Sequence, residues 1–285
     1  MRVYLTAKPR GAQRDNGHPA KFFAFFATLR LSILMPSLDQ IVAFCDRRVR
    51  VRAMADFPGA LNGLQAANSG RVNKIGAAVD AGAVPFALAA AAGVNFLIVH
   101  HGMFWDGAQP VTGANHSRLK TLLDADCAVY SAHLPLDAHP KIGNNALIAR
   151  ALGLKVSGWG IPYQGTPIAA LVDRAPTRAA LRKKLEKLFP RGITALEFGP
   201  AQPRRVAVIS GSGSSCIAHL RAAGADTLVT GELKQSAFNA AQEAGLNLYI
   251  CGHYATEVFG VRALAQECAA RFRLPWEFLD TGCPL

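Results

Sequence analysis

Three histidine-bearing segments dominate the chemistry open to this sequence. His100 and His101 are adjacent and close the apolar run Phe96-Leu97-Ile98-Val99. His133 is followed four residues later by Asp137, and His253 four residues later by Glu257. Imidazole nitrogens and carboxylate oxygens without thiolate form the donor set of a divalent-metal site, and a carboxylate has two oxygens with which to bridge two ions. Neighbouring residues on a strand point to opposite faces. The pair His100-His101 is therefore useful where the strand gives way to a turn, or where each ring serves a different ion, which favours two metals over one. Pro135 lies between His133 and Asp137 and predicts a loop there that folds the carboxylate back, rather than a continuous helix. Gly252-His253-Tyr254 precedes a helix whose first turn holds Thr256 and Glu257, and residues four apart share a helix face, so His253 and Glu257 can reach one centre.

Each segment also has a plainer reading. A histidine at a strand end is commonly a hydrogen-bonded structural residue, Asp137 could cap a helix beginning near Pro140, and Glu257 could favour the positive end of a helix dipole. What favours metal is that the segments stand at equivalent points of a repeated scaffold. Lys74-Ile75-Gly76-Ala77-Ala78-Val79-Asp80 leads to Ala92-Gly93-Val94-Asn95 and then His100-His101. Arg205-Val206-Ala207-Val208-Ile209-Ser210-Gly211 leads to Ala223-Gly224-Ala225-Asp226 and then Gly231-Glu232, at a constant offset of 131 residues. His133 and His253 are offset by 120. The repeat sets Glu232 opposite His101, so Glu232 is expected in the same cleft as a substrate contact or proton acceptor.

The elements that must position these residues follow from periodicity. Residues 74–79, 95–100 and 127–132 read as buried strands, with helices over 82–92 and 117–123. The second half repeats this with strands near 205–210, 226–230 and 247–252 and helices near 215–223, 236–244 and 256–271. Strands alternating with helices imply an α/β fold of two similar α/β/α half-domains with mainly parallel sheets and an internal pseudo-repeat. The expected divisions are 35–155 for the first half, 156–204 for a Gly- and Pro-rich connection containing a charged helix around 181–186, and 205–285 for the second half. The metal site is expected between the halves, at the carboxyl ends of the strands, where open α/β sheets collect reactive groups.

Composition limits the alternatives. With 285 residues, 51% of them hydrophobic, the chain can bury a full core. The formal charge is +12, from 31 Lys/Arg against 19 Asp/Glu. Residues 1–34 hold six of the basic residues and one of the acidic, and the remainder shows no dense basic run, so a solvated surface is favoured over a nucleic-acid stripe. The apolar run 22–34 is too short, and too interrupted by Arg30, to span a membrane, and no small-residue cleavage site follows it. Residues 1–34 are read as a basic extension, disordered or non-native, with the natural start at Met35. From there Ser37 is expected to cap a helix carrying Ile41, Val42 and Cys45 at helical spacing. The six cysteines show no paired spacing and read as reduced core residues of a cytoplasmic protein. Cys251, two residues before His253, is weighed as a soft ligand and set aside because the strand ends between them.

The same residues carry a resemblance. Ile98-Val99-His100-His101-Gly102-Met103-Phe104-Trp105, Arg118-Leu119-Lys120-Thr121-Leu122-Leu123, Ala132-His133-Leu134-Pro135-Leu136-Asp137 with Gly143-Asn144-Asn145, Thr230-Gly231-Glu232, and Gly252-His253-Tyr254-Ala255-Thr256-Glu257 occur in this order. Together they resemble the YbgI-like dinuclear-metal-centre family, whose members are often labelled GTP cyclohydrolase I type 2 homologues. Asn62-Gly63-Leu64-Gln65 is similar to that family's opening segment, and the likeness runs from about Met35 to Leu285. It implies His100, His101, Asp137, His253 and Glu257 as ligands of two divalent ions, with a carboxylate shared between them. It also implies a homohexameric toroid. His133 is assigned beside the ligands, orienting Asp137 or a water.

The donor set suits Zn, Mn, Fe, Co or Ni. Two such ions activate water at neutral pH and stabilise the negative charge that grows during hydrolysis. The expected activity is a metal-dependent hydrolase acting on a nucleotide or a related phosphorylated small molecule, GTP cyclohydrolase-like by resemblance. No P-loop is present. Ser210-Gly211-Ser212-Gly213-Ser214-Ser215 could hold a phosphate or be a plain tight turn. The rival classes are a non-enzymatic protein for metal storage, delivery or regulatory interaction, and a ring that binds nucleic acid. Trp105 could stack on a base or pack internally.

Overall fold

Ser37 and Gln40 start the first helix by capping each other. Ser37 Oγ accepts the Gln40 N–H at 3.2 Å and Gln40 Oε1 accepts the Ser37 N–H at 2.9 Å, the reciprocal arrangement that satisfies two otherwise orphaned donors. The structure is a computed structural model in which residues 35–285 are described, so the expectation for residues 1–34 lies outside the described residues. In chain order the first half contains α1 (Leu38–Val49), β1 (Gly63–Ala66), β2 (Ile75–Asp80), α2 (Ala83–Ala92), β3 (Phe96–His101), α3 (Gly113–Asp124) and β4 (Ala128–Ser131). Two short helices follow, α4 (Leu134–Asp137) and α5 (Asn144–Ala151). Then come β5 (Gly158–Tyr163), β6 (Thr166–Asp173), α6 (Arg178–Leu188), β7 (Thr194–Glu197), β8 (Arg205–Ser212), α7 (Ile217–Leu220), β9 (Thr227–Glu232), α8 (Ala237–Glu243), β10 (Asn247–Ile250), α9 (His253–Phe272) and β11 (Trp276–Phe278).

The strands form a five-stranded sheet, β1-β4-β3-β2-β11, and a six-stranded sheet, β5-β6-β8-β9-β10-β7. The pseudo-repeat extends further than the strands read from periodicity. In each half a helix and an edge strand (α1 and β1, α6 and β7) precede three parallel strands, and the edge strand lies antiparallel on the last of the three. Gly63 of β1 and Thr194 of β7, the first residues of these edge strands, stand at the same 131-residue offset as the core strands. Both strands are four residues long and mostly half-buried or exposed, so they lack the continuous apolar run that marks the equally short β4 and β10.

Residues 156–204, expected as a connection, supply β5, β6, α6 and β7 to the second sheet. The Gly and Pro that suggested a linker have local causes. Gln164-Gly165 is a two-residue hairpin turn with φ of 44° and 84°, the geometry that suits the twist of paired strands. Pro162 sits in β5, an edge strand, where a missing N–H costs little. The end of the chain also crosses over, since β11 pairs parallel with β2 of the first sheet. Pro135 does not prevent a helix. It falls in the first turn of α4, behind His133 at the N-cap, where the absent N–H has no partner to lose.

Helix α9 lies between the two sheets. On one side Val261, Leu264, Ala265 and Cys268 pack with Ile41 and Cys45 of α1 and with Ile75, Ala77, Phe96 and Ile98 of the first sheet. On the other, Phe259 and Ala255 pack beside Leu181 and Leu185 of α6, Val206, Val208 and Tyr249. The alternate residues of the strands face outward: Leu97 and Val99 meet Phe86 and Leu122, and Ala207 and Leu228 meet Leu220 and Ala241. Both faces of each sheet are thus covered, as nearly continuous apolar strands require. Gly260 lets α9 approach α4 and α5, because a Cβ there would press on Leu136 and Asn144. No helix among the described residues is long and apolar enough to cross a membrane.

Leu264 is fully buried at the centre of this packing. Leu264→Ala is expected to cost about 2–5 kcal/mol in urea unfolding, and a loss below about 1 kcal/mol would contradict the central place given to α9.

Candidate metal centre

The alternation of β3 continues into its histidines. Phe96 and Ile98 face α9, and His100 follows them on that side. Leu97 and Val99 face α2 and α3, and His101 follows on the other side but at the open strand end. His100 is fully buried. Its Nδ1 donates to the Ala132 carbonyl at 2.9 Å, and its Nε2 lies 3.3 Å from Asp137 Oδ2 and 3.5 Å from Glu257 Oε1. His101 Nδ1 is 2.8 Å from Asp80 Oδ1, on the residue that faces it in register on β2, and its Nε2 is 3.4 Å from Glu257 Oε2. His253, the first residue of α9, has Nδ1 3.2 Å from Glu232 Oε1 and Nε2 3.1 Å from Glu257 Oε1. His133 Nδ1 is 2.7 Å from Asp56 Oδ1.

All four imidazoles are therefore held at Nδ1 by an oxygen acceptor outside the cluster, and three turn Nε2 onto Glu257. This is the arrangement that fixes the tautomer and direction of metal-ligating histidines. Asp137 is fixed similarly. Its Oδ1 accepts from Asn144 Nδ2 at 2.7 Å and Ser210 Oγ at 2.8 Å, which leaves Oδ2 for His100. His100 Nε2 and Glu257 Oε2 are buried and lack a hydrogen-bond partner, although buried polar atoms are almost always satisfied. Donor atoms held about 2.0–2.2 Å from one tetrahedral ion lie about 3.3 Å apart. The four separations around Glu257 and Asp137, from 3.1 to 3.5 Å, fit that spacing. Two donor groups emerge, His100/His101/His133 and His101/His253/Glu257, each with ligand atoms within 4.8 Å of one another. These residues fit a divalent-metal site, and His101 belongs to both groups.

The electrostatics agree with the geometry. Burial works against charge on His100, but Asp137 and Glu257 outweigh it and hold its pKa well above the ordinary value. Burial likewise opposes charge on His253, yet Glu257 and Glu232 raise its pKa to about 9. Burial pushes the Glu257 and Asp137 carboxyls up, and the neighbouring imidazoles overcome it and hold both below the usual carboxylate range. His133 differs, because burial lowers its pKa in spite of Asp56 and keeps it neutral near pH 7.

The end of β8 is shaped around this cluster. Gly211 has φ +59°, and a Cβ there would collide with Glu257 Oε1, so the backbone can pass the carboxylate only as glycine. Its N–H donates to Thr256 Oγ1 at 3.0 Å. Above the cluster opens a cavity of about 550 Å³ lined by His101, His133, Asp137, His253, Glu257 and Glu232 among others.

All five residues expected as ligands meet here, with His133 and Glu232 beside them. Glu232 is half exposed, lines the same cavity as His101 and touches His253. Asp56 and Asp80 were not anticipated. Asp80 had a visible sign, a carboxylate at the end of the strand next to β3. Asp56 lies in an irregular loop, fixed by Asn62 Nδ2 at 2.7 Å and the Leu134 N–H at 3.0 Å, and carries no periodic mark. Cys251 is buried, and burial pushes its thiol up to about 12, which disfavours the thiolate a ligand needs.

Comparison with known proteins gives the lineage. Residues 36–282 match the family model described as Duf34/NIF3 (NGG1p interacting factor 3). The chain belongs to the Duf34/NIF3 family. A Deinococcus radiodurans relative named "GTP cyclohydrolase 1 type 2 homolog" is 40% identical over 247 residues, covering 85% of this chain and 92% of that one. Among solved structures, TTHA1606 from Thermus thermophilus is 40% identical with a TM-score of 0.78, covering 87% of this Duf34/NIF3 chain and all of that one. Protein ybgI, whose function is described as unknown, is 34% identical with a TM-score of 0.80 at the same coverage. These likenesses bear out the family resemblance and the two-sheet α/β fold.

The pKa directions set a sign for stability. The raised pKa of His253 means its ion pairs stabilise the metal-stripped fold fully below its unfolded value near 6.5, and that contribution is lost as pH rises through about 9. Metal uptake needs neutral imidazole and runs the opposite way. Chelator-treated protein is expected to melt at a lower temperature at pH 9 than at pH 6.5, with the gap between metal-loaded and stripped samples widening over that range. A gap that narrows, read by thermal scanning, would contradict the arrangement.

Proposed function

We propose that the chain is a dinuclear metal-binding protein and a metal-dependent hydrolase acting on a nucleotide or a related phosphorylated small molecule. The observation that carries the reading is Glu257, a buried carboxylate whose two oxygens face different histidines, His253 and His100 through Oε1 and His101 through Oε2. His100, His101, Asp137, His253 and Glu257 would together hold the two ions, with Glu257 common to both. Zn, Mn, Fe, Co and Ni all suit these donors. When bound, two such ions supply an activated water and stabilise the developing negative charge. The names of relatives as GTP cyclohydrolase homologues support a nucleotide as the substrate class.

The chain's own residues do the rest. Asp80, Asp56 and Glu232 fix the rings of His101, His133 and His253. Glu232 gives one oxygen to His253 and offers the other to a proton of the substrate. Neutral His133, held by Asp56, orients water or the reacting group at the cavity floor. A homohexamer and a cytoplasmic place belong to the same proposal, the latter supported by six free cysteines.

The test is turnover of GTP and other nucleoside triphosphates by metal-loaded protein. Chelation should abolish it and metal should restore it. In Glu232→Gln, which keeps an acceptor for His253, metal should remain while turnover falls about 10²-fold, whereas unchanged turnover would remove Glu232 from the reaction. Stoichiometric metal without turnover on any nucleotide would instead support metal storage, delivery or regulatory interaction.

A further inference from the structure

The cavity has one wall that holding metal does not require. Phe57, in the loop after α1, lies with its ring centroid 4.8 Å from Tyr163 at the end of β5 and 5.8 Å from Trp105 in the loop after β3. Trp105 in turn stands 4.8 Å from His133 and 5.5 Å from His101. Three irregular segments or strand ends, from both sheets, thus bring three aromatic rings to the edge of the candidate metal centre. Phe57 remains 42% and Trp105 40% exposed, and both line the cavity. Rings that served only the core would be buried against it, as Phe86 and Phe96 are.

The same cavity is lined by one guanidinium, Arg118 of α3. It donates to Asn115 Oδ1 at 2.9 Å and toward the Met103 carbonyl at 3.5 Å. Among the described residues it has no carboxylate within ion-pair distance, in contrast to Arg48, Arg205 and Arg182. A cation held by neutral groups keeps its capacity for an anion.

We infer that Phe57, Trp105 and Tyr163 with Arg118 form a binding site for a planar heteroaromatic ring that bears an anionic group. The ring lies against the aromatic wall, the anion reaches Arg118, and the ring edge is delivered to the histidines. Stacking is tolerant of ring identity, because every base has a π-face, so the wall selects planarity and Arg118 selects charge. The inference rests on the hydrolase reading for what happens to the ring, but binding can be read without turnover.

The experiment is calorimetric titration of the full chain, with metal content measured on every sample. The probes are AMP, GMP, CMP and UMP, with ribose 5-phosphate and guanosine as controls. At least one nucleotide should bind saturably, and ribose 5-phosphate, which lacks the ring, should bind at least about tenfold more weakly. Trp105→Ala and Phe57→Ala should each weaken the nucleotide about 10- to 100-fold and leave ribose 5-phosphate unaltered, while Trp105→Phe restores most of the affinity. Arg118→Gln should weaken nucleotide and ribose 5-phosphate but not guanosine. Metal-loaded protein that binds no nucleotide below about 1 mM overturns this site and leaves the metal reading standing. So does nucleotide binding that is equal in Trp105→Ala and Phe57→Ala to that of the native chain. Nucleotide binding with the expected variant pattern in protein that takes up no metal would uphold the site and remove the hydrolase reading instead.

Discussion

The carboxylate of Glu257 is the constraint from which the rest of the site follows. It is charged, 2% exposed, and placed between two sheets on a helix whose inner face is apolar from Val261 onward. An unpaired carboxylate in such a place would cost several kcal/mol, so its oxygens must be compensated by imidazolium or by metal. The chain supplies His100, His101 and His253 for this purpose, from the end of one strand and the start of the helix itself. It leaves Glu257 Oε2 and His100 Nε2 without hydrogen bonds, while surrounding polar groups such as Asp137 Oδ1, Ser210 and Asn144 are fully paired. A cluster satisfied on its outside and unsatisfied at its centre has the donor arrangement that fits a divalent cation.

That demand explains features of the fold that packing alone does not. Helix α9 must begin at the open ends of the parallel strands and also fill the space between the sheets. Its first turn is therefore polar where it meets His100 and His101, and apolar from Val261 onward. Gly211 at the end of β8 and Gly260 on α9 remove side chains where the carboxylate and Asn144 must fit. The internal repeat provides equivalent strand ends in the two halves, but their residues diverge. His101 is answered across the repeat by Glu232, which contacts His253, so the duplicated scaffold supports one asymmetric centre.

Much of this was legible in the sequence because the candidate ligands sit at the ends of apolar runs. The strand ending in His100-His101 and the four-residue spacing of His253 and Glu257 both announce themselves by periodicity. So does the Ser37 cap, which the structure realises with Gln40 as its reciprocal partner. What could not be read has physical reasons. Strands β1 and β7 are edge-placed and mostly half-buried or exposed, so no continuous apolar run marks them. The β5–β6 hairpin carries Pro162 and Gly165, which imitate a linker. Pro135 is compatible with the single turn of α4 because it occupies an N-terminal position. Asp56 reaches His133 across 77 residues of sequence through an irregular loop, and no local pattern encodes that contact.

The most direct measurement is the metal content per chain of the purified protein, by elemental analysis, beside Glu257→Ala and His101→Ala. About two ions per chain are expected in the native protein, with both diminished in Glu257→Ala because its carboxylate faces both proposed sites. His101→Ala should show a comparable loss while the fold is retained. Absence of stoichiometric metal after reconstitution, or full metal content in Glu257→Ala, would contradict the account and leave the histidines as partners of buried carboxylates alone.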